Sequence, residues 1–318
     1  MTSQSSPRRL TVQQAEAELE KFPAPVMERF RRAQSQLAGR IAQETIVEWA
    51  EEGIEIARKT VRSWEAAAEY FDASPAVQRQ LPSGQFLRWA RTGGALCNDS
   101  PSLAVAYFKA SPATMVRLRP RYIDDWAAVC RSLYRGTWKS SALACRLFET
   151  TPQMLETVSF EEFCRFGGFL EALSRRSYDL AGECLTTSVR LFPKIGPDVD
   201  GFVGLATSVT ESSWREVKGL FDTGGAALAD TAQPHRAALI ALARRLVAAG
   251  TNDVGVVLRD GALAIVRVPV DYRDHLMQMA DALARLSPSA APEFLKTAPV
   301  VLERVTFPQL REWHATGA

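Results

Sequence analysis

Few residues of this sequence combine the types and the spacing that catalysis or metal binding requires. The triplet Asp222-Thr223-Gly224 matches the aspartic-protease motif by letter. That chemistry needs two such aspartates on facing β-loops, whereas this triplet falls at a predicted turn between helices. His235, His275 and His314 do not share the i, i+4 spacing of a helical metal pair. The sequence has no phosphate-binding loop and no Gly-x-Ser-x-Gly. We therefore expect no enzyme, no metal and no cofactor.

Three aromatic residues have a spacing that favours partner binding instead. Trp64, Tyr178 and Trp214 each directly follow a serine that is predicted to cap a helix. Tryptophan and tyrosine are favoured anchors of protein interfaces, so a row of them at equivalent positions is a candidate binding edge. In the alternative interpretation each ring covers the preceding helix and closes the seam between neighbouring repeats.

Basic residues are dense in the middle of the chain. They are Arg131, Arg135, Lys139, Arg146, Arg165, Arg175, Arg176, Arg190 and Lys194. A solvated helix face explains most of this density, because acidic residues such as Asp124, Glu161 and Glu171 are interleaved with it. Arg175 and Arg176 remain candidates for a partner-binding surface.

The elements that must position these residues form a repeat. One apolar residue recurs every 36 to 40 positions and serves as the anchor of each unit. The anchors are Phe71, Phe108, Phe148, Leu185, Phe221, Leu258 and Leu295. A second column lies eight residues earlier and consists of Ser63, Ser100, Ser140, Ser177, Ser213, Gly250 and Ser287. A fixed period of this length is typical of stacked helical repeats.

Each serine is predicted to cap the second helix of its unit through its hydroxyl. Ser213 and Glu216 have the spacing of a capping box, as do Thr11 and Gln14. The second helix is expected to stop at a proline, as at Ser111-Pro112, and a short helix should follow. A longer first helix carries a core aromatic near its start. These aromatics are Trp49, Trp89, Trp126, Phe163 and Phe202. In the sixth unit Val254–Gly261 could form a hairpin in isolation, but the register favours a helix.

The third unit is longer than its neighbours by three residues, within Leu133–Lys139. Insertions in repeat proteins lie in loops on one face, which is often the binding face. Arg135, Trp138 and Lys139 are therefore the preferred hot spot for a partner. The alternative is a longer turn without function.

Composition favours a protein that works in the cytoplasm. Apolar residues make up 47% and charged residues 23%, with a net charge of +2, so charge alone does not indicate a nucleic-acid partner. No apolar run is long enough for a membrane span, and the N-terminus lacks the apolar stretch of a signal peptide. Five cysteines without a Cys-x-x-Cys pair are consistent with reduced thiols.

The domain prediction follows from these patterns. Residues 1–10 are polar and are expected to be disordered. Residues 11–43 should form an N-terminal helical cap, and residues 44–318 an α-solenoid repeat domain. The predicted fold is all-α, a right-handed HEAT-like or armadillo-like solenoid of about seven 37-residue repeats.

The amino-acid sequence of the repeats resembles that of a known family. The segments Trp49–Gly53 and Ala104–Pro112 are similar to the helical repeats that precede the von Willebrand factor A domain in bacterial proteins of the nitric-oxide-reductase-activation type. The resemblance covers roughly residues 45–313. It implies a scaffold that works with a MoxR-type AAA+ ATPase on a target enzyme complex. The chain departs from the family because the metal-binding Asp-x-Ser-x-Ser is missing, and Asp99–Ser102 has the wrong spacing for it.

Together these observations predict a non-catalytic, protein-binding scaffold or adaptor. The alternative is a HEAT-like nucleic-acid-binding protein or DNA-repair glycosylase, which would require the central arginines on one face and a steep salt dependence.

Overall fold

The computed structural model describes residues 10–136, 140–302, 308–309 and 312. Within them the regular secondary structure is helical, without a β-strand. The chain divides into two compact units, Met1–Glu156 and Thr157–Ala318. None of the described helices combines the length and the apolar character that crossing a bilayer would require.

The first unit contains eight α-helices in its described residues. They are α1 (Val12–Leu19), α2 (Ala24–Leu37), α3 (Gln43–Arg58), α4 (Ser63–Gln78), α5 (Ser83–Asp99), α6 (Pro101–Thr114), α7 (Ile123–Gly136) and α8 (Ser140–Met154). The odd-numbered helices contact one another in order, and so do the even-numbered ones, while α3–α4, α5–α6 and α7–α8 pair across the two rows. Each pair thus repeats the packing of the pair before it.

The second unit continues with α9 to α17. Its helices are α9 (Phe160–Ser174), α10 (Tyr178–Ile195), α11 (Val199–Ser213), α12 (Val217–Gly219), α13 (Ala226–Asp230), α14 (Gln233–Ala248), α15 (Val254–Arg267), α16 (Arg273–Leu286) and α17 (Ala290–Leu302). A π-helix, Leu220–Gly225, joins α12 to α13. One row runs through α9, α11, α14 and α16, and the other through α10, α13, α15 and α17.

Aromatic rings fill the space between the rows of the first unit. Phe30 stacks on Trp49 at 5.2 Å between ring centroids, and Phe71 meets the same indole edge-on at 5.0 Å. Tyr70 in turn stacks on Trp89 of the next pair at 5.5 Å. Trp49, Trp89 and Trp126 are completely buried, so their predicted place in the core is confirmed.

The predicted role of proline was wrong. In four pairs the second helix continues through its proline instead of stopping there. The prolines inside helices at this position are Pro75, Pro112, Pro152 and Pro299. Each lies in the final turn, where a missing N–H removes one of the last hydrogen bonds and the helix ends within a few residues. The predicted short helix after the proline is therefore part of the second helix.

The capping predictions had a mixed outcome. The box of Thr11 and Gln14 is present, and the Ser177 hydroxyl accepts a hydrogen bond from the Leu180 N–H. Ser213 makes no such bond, because a 3-10 turn at Trp214–Glu216 precedes α12. Ser100 has the extended backbone of a cap but no capping hydrogen bond. The serine column therefore marks where a helix begins more reliably than how it is capped.

Two further expectations concern the second unit. The predicted helix in the sixth repeat is confirmed, since α15 spans the region that could have been a hairpin. The predicted turn at Asp222–Gly224 was wrong, because the triplet lies in the π-helix inside a continuous helical segment. The Asp222 carboxylate pairs with Lys218 at 3.1 Å.

Candidate functional site

A buried hydrogen-bond relay links the two helices of the first complete pair. The indole Nε1 of Trp49 donates to Ser74 Oγ at 2.9 Å, and this hydroxyl donates to the Tyr70 carbonyl at 2.6 Å. The Tyr70 hydroxyl completes the circuit by donating to the Trp49 carbonyl at 3.1 Å. All three side chains are fully buried, so the relay satisfies polar atoms that would otherwise be stranded in the core.

The relay recurs in full in the next pair and, with Leu147 in place of the tyrosine, in part in the pair after it. Trp89 donates to Ser111 at 2.8 Å, and the Tyr107 hydroxyl donates to the Trp89 carbonyl at 3.2 Å. Trp126 donates to Thr151 at 3.1 Å. Serine or threonine before the helical proline thus serves as the acceptor for an indole of the partner helix. Sequence reasoning treated this position as a helix stop and missed its polar role.

The tyrosines of the relays cannot take part in acid–base chemistry near neutral pH. Burial raises the pKa of Tyr70 well above its usual value, and the charge of Glu52 adds to the effect. Burial acts in the same direction on the pKa of Tyr107, together with the charge of Asp124. Both phenols therefore stay neutral and act as hydrogen-bond donors.

Asp99 organises the region around the predicted hot spot. Its carboxylate pairs with Arg131 and, at 3.2 Å, with Arg135, while its carbonyl accepts from the Tyr134 hydroxyl at 2.6 Å. The Asp99 side chain is mostly buried, so it holds one face of α7 against the end of α5. Arg135 remains 60% exposed. Trp138 and Lys139, the other hot-spot residues, lie outside the described residues.

The three edge aromatics are half-buried. Trp64 lies in the first turn of α4, Tyr178 begins α10, and Trp214 begins a 3-10 turn. The Arg215 guanidinium lies over the Trp214 ring at 5.1 Å. Their shared place at the start of the second helix agrees with the sequence, and their role in binding stays a prediction.

Four of the nine central basic residues face carboxylates of this chain, namely Arg131, Arg135, Arg165 and Arg175. Arg165 pairs with Asp200, and Arg175 pairs with Glu171 one helical turn away. Arg176 is exposed beside them. Arginines that already face carboxylates present less free positive charge to a phosphate backbone than the sequence alone suggests.

Two of the cysteines, Cys145 and Cys184, have thiols of raised pKa. All five are free thiols. Burial raises the pKa of Cys184 to about 12, with the charges of Asp222 and Glu183 adding to it, and burial next to Glu149 raises the pKa of Cys145 to about 11. A thiol with a raised pKa is a poor nucleophile at neutral pH, because little of it is thiolate.

The second unit contains a buried ion pair whose residue types could serve a functional site but whose contacts stabilise the fold. The Asp198 carboxylate and the Arg236 guanidinium approach to 3.6 Å, and both side chains are nearly buried. Burial raises the pKa of Asp198, and the charge of Arg236 opposes the rise. Arg236 also donates to the Lys194 carbonyl at 2.7 Å. The pair fastens α14 to the turn before α11.

Metal binding finds no support in the part of the chain that the structure describes. There, no three histidine, cysteine, aspartate or glutamate side chains come together in a group that could hold an ion. His235 lies 3.7 Å from Asp274, and His275 is on the same helix as Asp274. His314 lies outside the described residues.

An open groove on the second unit was not predicted from the sequence. It has a volume of about 360 Å³. The π-helix and α13 line one side of it, and α15 lines the other. Its lining is Asp222, Thr223, Ala226, Ala227, Asp230, Thr231, Arg259, Ala262, Leu263 and Val266. Leu263 is 48% exposed and Val266 62% exposed. A signal was available, because Leu263 and Val300 occupy the column five residues after the anchor, where the first two units have Ala76 and Ala113.

Comparison with known proteins identifies no relative. No protein-family model, curated protein or solved structure matches this chain. The relationship of its repeats to those of the nitric-oxide-reductase-activation proteins therefore stays a prediction. A functional proposal must come from the geometry of the chain itself.

Proposed function

We propose that this protein is a non-catalytic, protein-binding scaffold built as a right-handed, HEAT-like or armadillo-like α-solenoid of about seven repeats. The observation that carries the proposal is the relay of Trp49 with Ser74, which recurs at Trp89 with Ser111 and at Trp126 with Thr151. Its recurrence supports a repeat architecture in which the polar side chains of the interior serve packing. Function then falls to the exposed faces of the helices, as in stacked repeats that bind partners along an extended surface.

The resemblance gives the first partner to test. A MoxR-type AAA+ ATPase, or the enzyme complex on which such an ATPase acts, is the partner class that the family's scaffolds imply. The preferred contact is the region of Arg135, Trp138 and Lys139, because Arg135 is held by Asp99 with its outer side exposed. The edge aromatics Trp64, Tyr178 and Trp214 would contribute further contacts.

Nucleic-acid binding has less support. Duplex binding draws its affinity from free cations that displace counterions. In the described residues Arg131, Arg165 and Arg175 each face a carboxylate of this chain.

The test is affinity capture from a nuclease-treated native lysate, with the tagged full chain as bait and mass spectrometry as the readout. Trp138→Ala is compared with the wild type, and Val116→Ala is the control, because Val116 is 65% exposed in another repeat. We expect a defined protein partner with the wild type and the control and weaker capture with Trp138→Ala, at an unchanged melting temperature. Capture that disappears on nuclease treatment with every bait would refute the scaffold and favour nucleic acid. Equal loss of capture and thermal stability in Trp138→Ala would show that the loop is structural.

A further inference from the structure

The groove between α13 and α15 has the form of a helix-binding site. Three of its lining side chains are small, Ala226, Ala227 and Ala262, which allow another backbone to approach closely. Leu263 and Val266 form an apolar wall on one side. From Arg259 to Val266 the wall extends for about two helical turns. A groove between two helices with these dimensions suits the apolar face of a third helix.

Large aliphatic residues occupy this position only in the last two repeats of the second unit. Five residues after the anchor, the successive repeats have Ala76, Ala113, Gln153, Arg190, Ala226, Leu263 and Val300. Only the last two are large and aliphatic, and they are 48% and 52% exposed on the neighbouring helices α15 and α17. Exposed aliphatic side chains that adjoin a groove are more informative than ones scattered singly, because contiguous apolar patches mark interaction sites.

The charges around the groove favour a cationic occupant. Lys218 binds both Asp222 at 3.1 Å and Glu183 at 2.6 Å, and Arg259 binds Asp260 at 2.9 Å, so both cations are already paired within the chain. Asp230 is exposed at the C-terminal end of α13 and has no cationic partner among the described residues. The carbonyl groups at the end of a helix carry partial negative charge and add to that of the carboxylate. This end of the groove is therefore complementary to a lysine or arginine.

We propose that the groove binds an amphipathic helix of a partner protein, with apolar residues at i, i+3 or i+4, and i+7 and a lysine or arginine that pairs with Asp230. The proposal rests on the scaffold function and adds one defined binding mode to it. The apolar face of the partner helix contacts Ala226, Leu263 and Val266. The ion pair at Asp230 sets the direction in which the helix lies.

The test uses two fluorescein-labelled 16-residue helical peptides and the full-length protein in a fluorescence-anisotropy titration. Both peptides have the same leucine face; one carries two lysines at one end and the other carries two glutamates there. The wild type should bind the lysine peptide at least ten-fold more tightly. Asp230→Lys should reverse this preference in favour of the glutamate peptide. Leu263→Ser should weaken binding of the lysine peptide at least five-fold, whereas Val116→Ser, in an exposed position of the first unit, should have no effect.

Other outcomes would overturn the proposal. Equal affinity for both peptides, or a preference that Asp230→Lys does not reverse, would remove the charge argument. An equal effect of Leu263→Ser and Val116→Ser would place the peptide outside the groove. Sedimentation showing a dimer that Leu263→Ser converts to a monomer would make a second copy of the chain the occupant. The scaffold function would survive each of these results if lysate capture still depended on Trp138.

Discussion

At the scale of single residues, Ser111 decides whether the indole of Trp89 has a hydrogen-bond acceptor. Ser111→Ala leaves the buried Nε1 proton unpaired, and we expect the free energy of unfolding to fall by about 1–3 kcal/mol. Ser111→Thr should keep most of the stability, because Thr151 already plays this role for Trp126. The measurement is urea unfolding followed by circular dichroism and tryptophan fluorescence.

The control for Ser111 is Ser102→Ala in the same helix, since Ser102 is exposed. This change should alter stability by less than about 0.5 kcal/mol. If Ser111→Ala and Ser102→Ala had the same small effect, the relay would be a consequence of packing and not a source of stability.

A second residue-scale prediction concerns the pH dependence of Asp124. Burial alone would raise the pKa of this carboxyl, but hydrogen bonds from Thr92 at 2.6 Å and from Arg88 at 2.8 Å outweigh it and lower the pKa. An aspartate whose pKa is lower in the folded state stabilises the fold above its unfolded pKa of about 4. That contribution is lost as the pH falls through the folded pKa.

Asp124→Asn removes this contribution. Because Asp124 is half-exposed, the loss at pH 7 should be below about 1 kcal/mol. The difference from the wild type should shrink toward zero as the pH falls from 6 to 3, as measured by urea midpoints at each pH. Asp125→Asn is the matched control, since Asp125 is the exposed neighbour and accepts no hydrogen bond from a described side chain. A difference for Asp124→Asn that grew on acidification would contradict the assigned direction.

At the scale of elements, one glycine, Gly255, sets how closely α15 approaches the helical segment that carries the π-helix. A methyl group at Gly255 would lie 2.2 Å from the carbonyl oxygen of Gly219, which is backbone and cannot turn away. A methyl group at Gly219 itself would meet nothing within 4 Å. Gly255→Ala should therefore destabilise the second unit by at least about 1–3 kcal/mol.

Gly219→Ala is the matched control for this contact. Alanine is the better helix former, so the variant should be neutral or more stable by up to about 1 kcal/mol. Thermal unfolding followed by circular dichroism compares the two variants directly. A stable Gly255→Ala would show that α15 can move away from α12 without loss of packing.

The same elements show what the sequence could predict. The columns of Trp49 and Phe71 correctly located the core, because large apolar residues at a fixed period have no other stable place in a helical stack. The proline at 112 was misleading, because it lies two residues before the helix ends at Thr114, where a lost hydrogen bond costs little. The π-helix at Leu220–Gly225 was not predicted, because its Asp222-Thr223-Gly224 was interpreted as a turn between helices.

The candidate sites were less predictable than the core. Arg135 was singled out by the insertion beside it, but its pairing with Asp99 joins residues 36 positions apart and depends on how α5 and α7 pack. Predicting the groove at Leu263 requires knowing which side of α15 the described helices leave open. Sequence periodicity identifies the faces that are buried in every repeat, whereas a binding face is where one repeat departs from the others.

At the scale of the whole molecule, the described interactions of each relay lie within the first unit. Trp49, Trp89 and Trp126 all find their hydrogen-bond acceptors before Glu156. The unit has the size of an ordinary domain and its own aromatic core. We therefore expect residues 1–156, produced alone, to be helical and to unfold cooperatively.

Ser111→Ala tests whether the isolated unit has the same interior as the full chain. The relay is local, so the variant should lower the free energy of unfolding by the same amount in residues 1–156 as in the whole protein, as measured by tryptophan fluorescence in urea. A smaller effect in the isolated unit would mean that its packing loosens when the chain is cut. An isolated unit that failed to fold would show that the relays are insufficient by themselves and that, as in a stack where each repeat is stabilised by the next, the first pairs depend on the repeats that follow them.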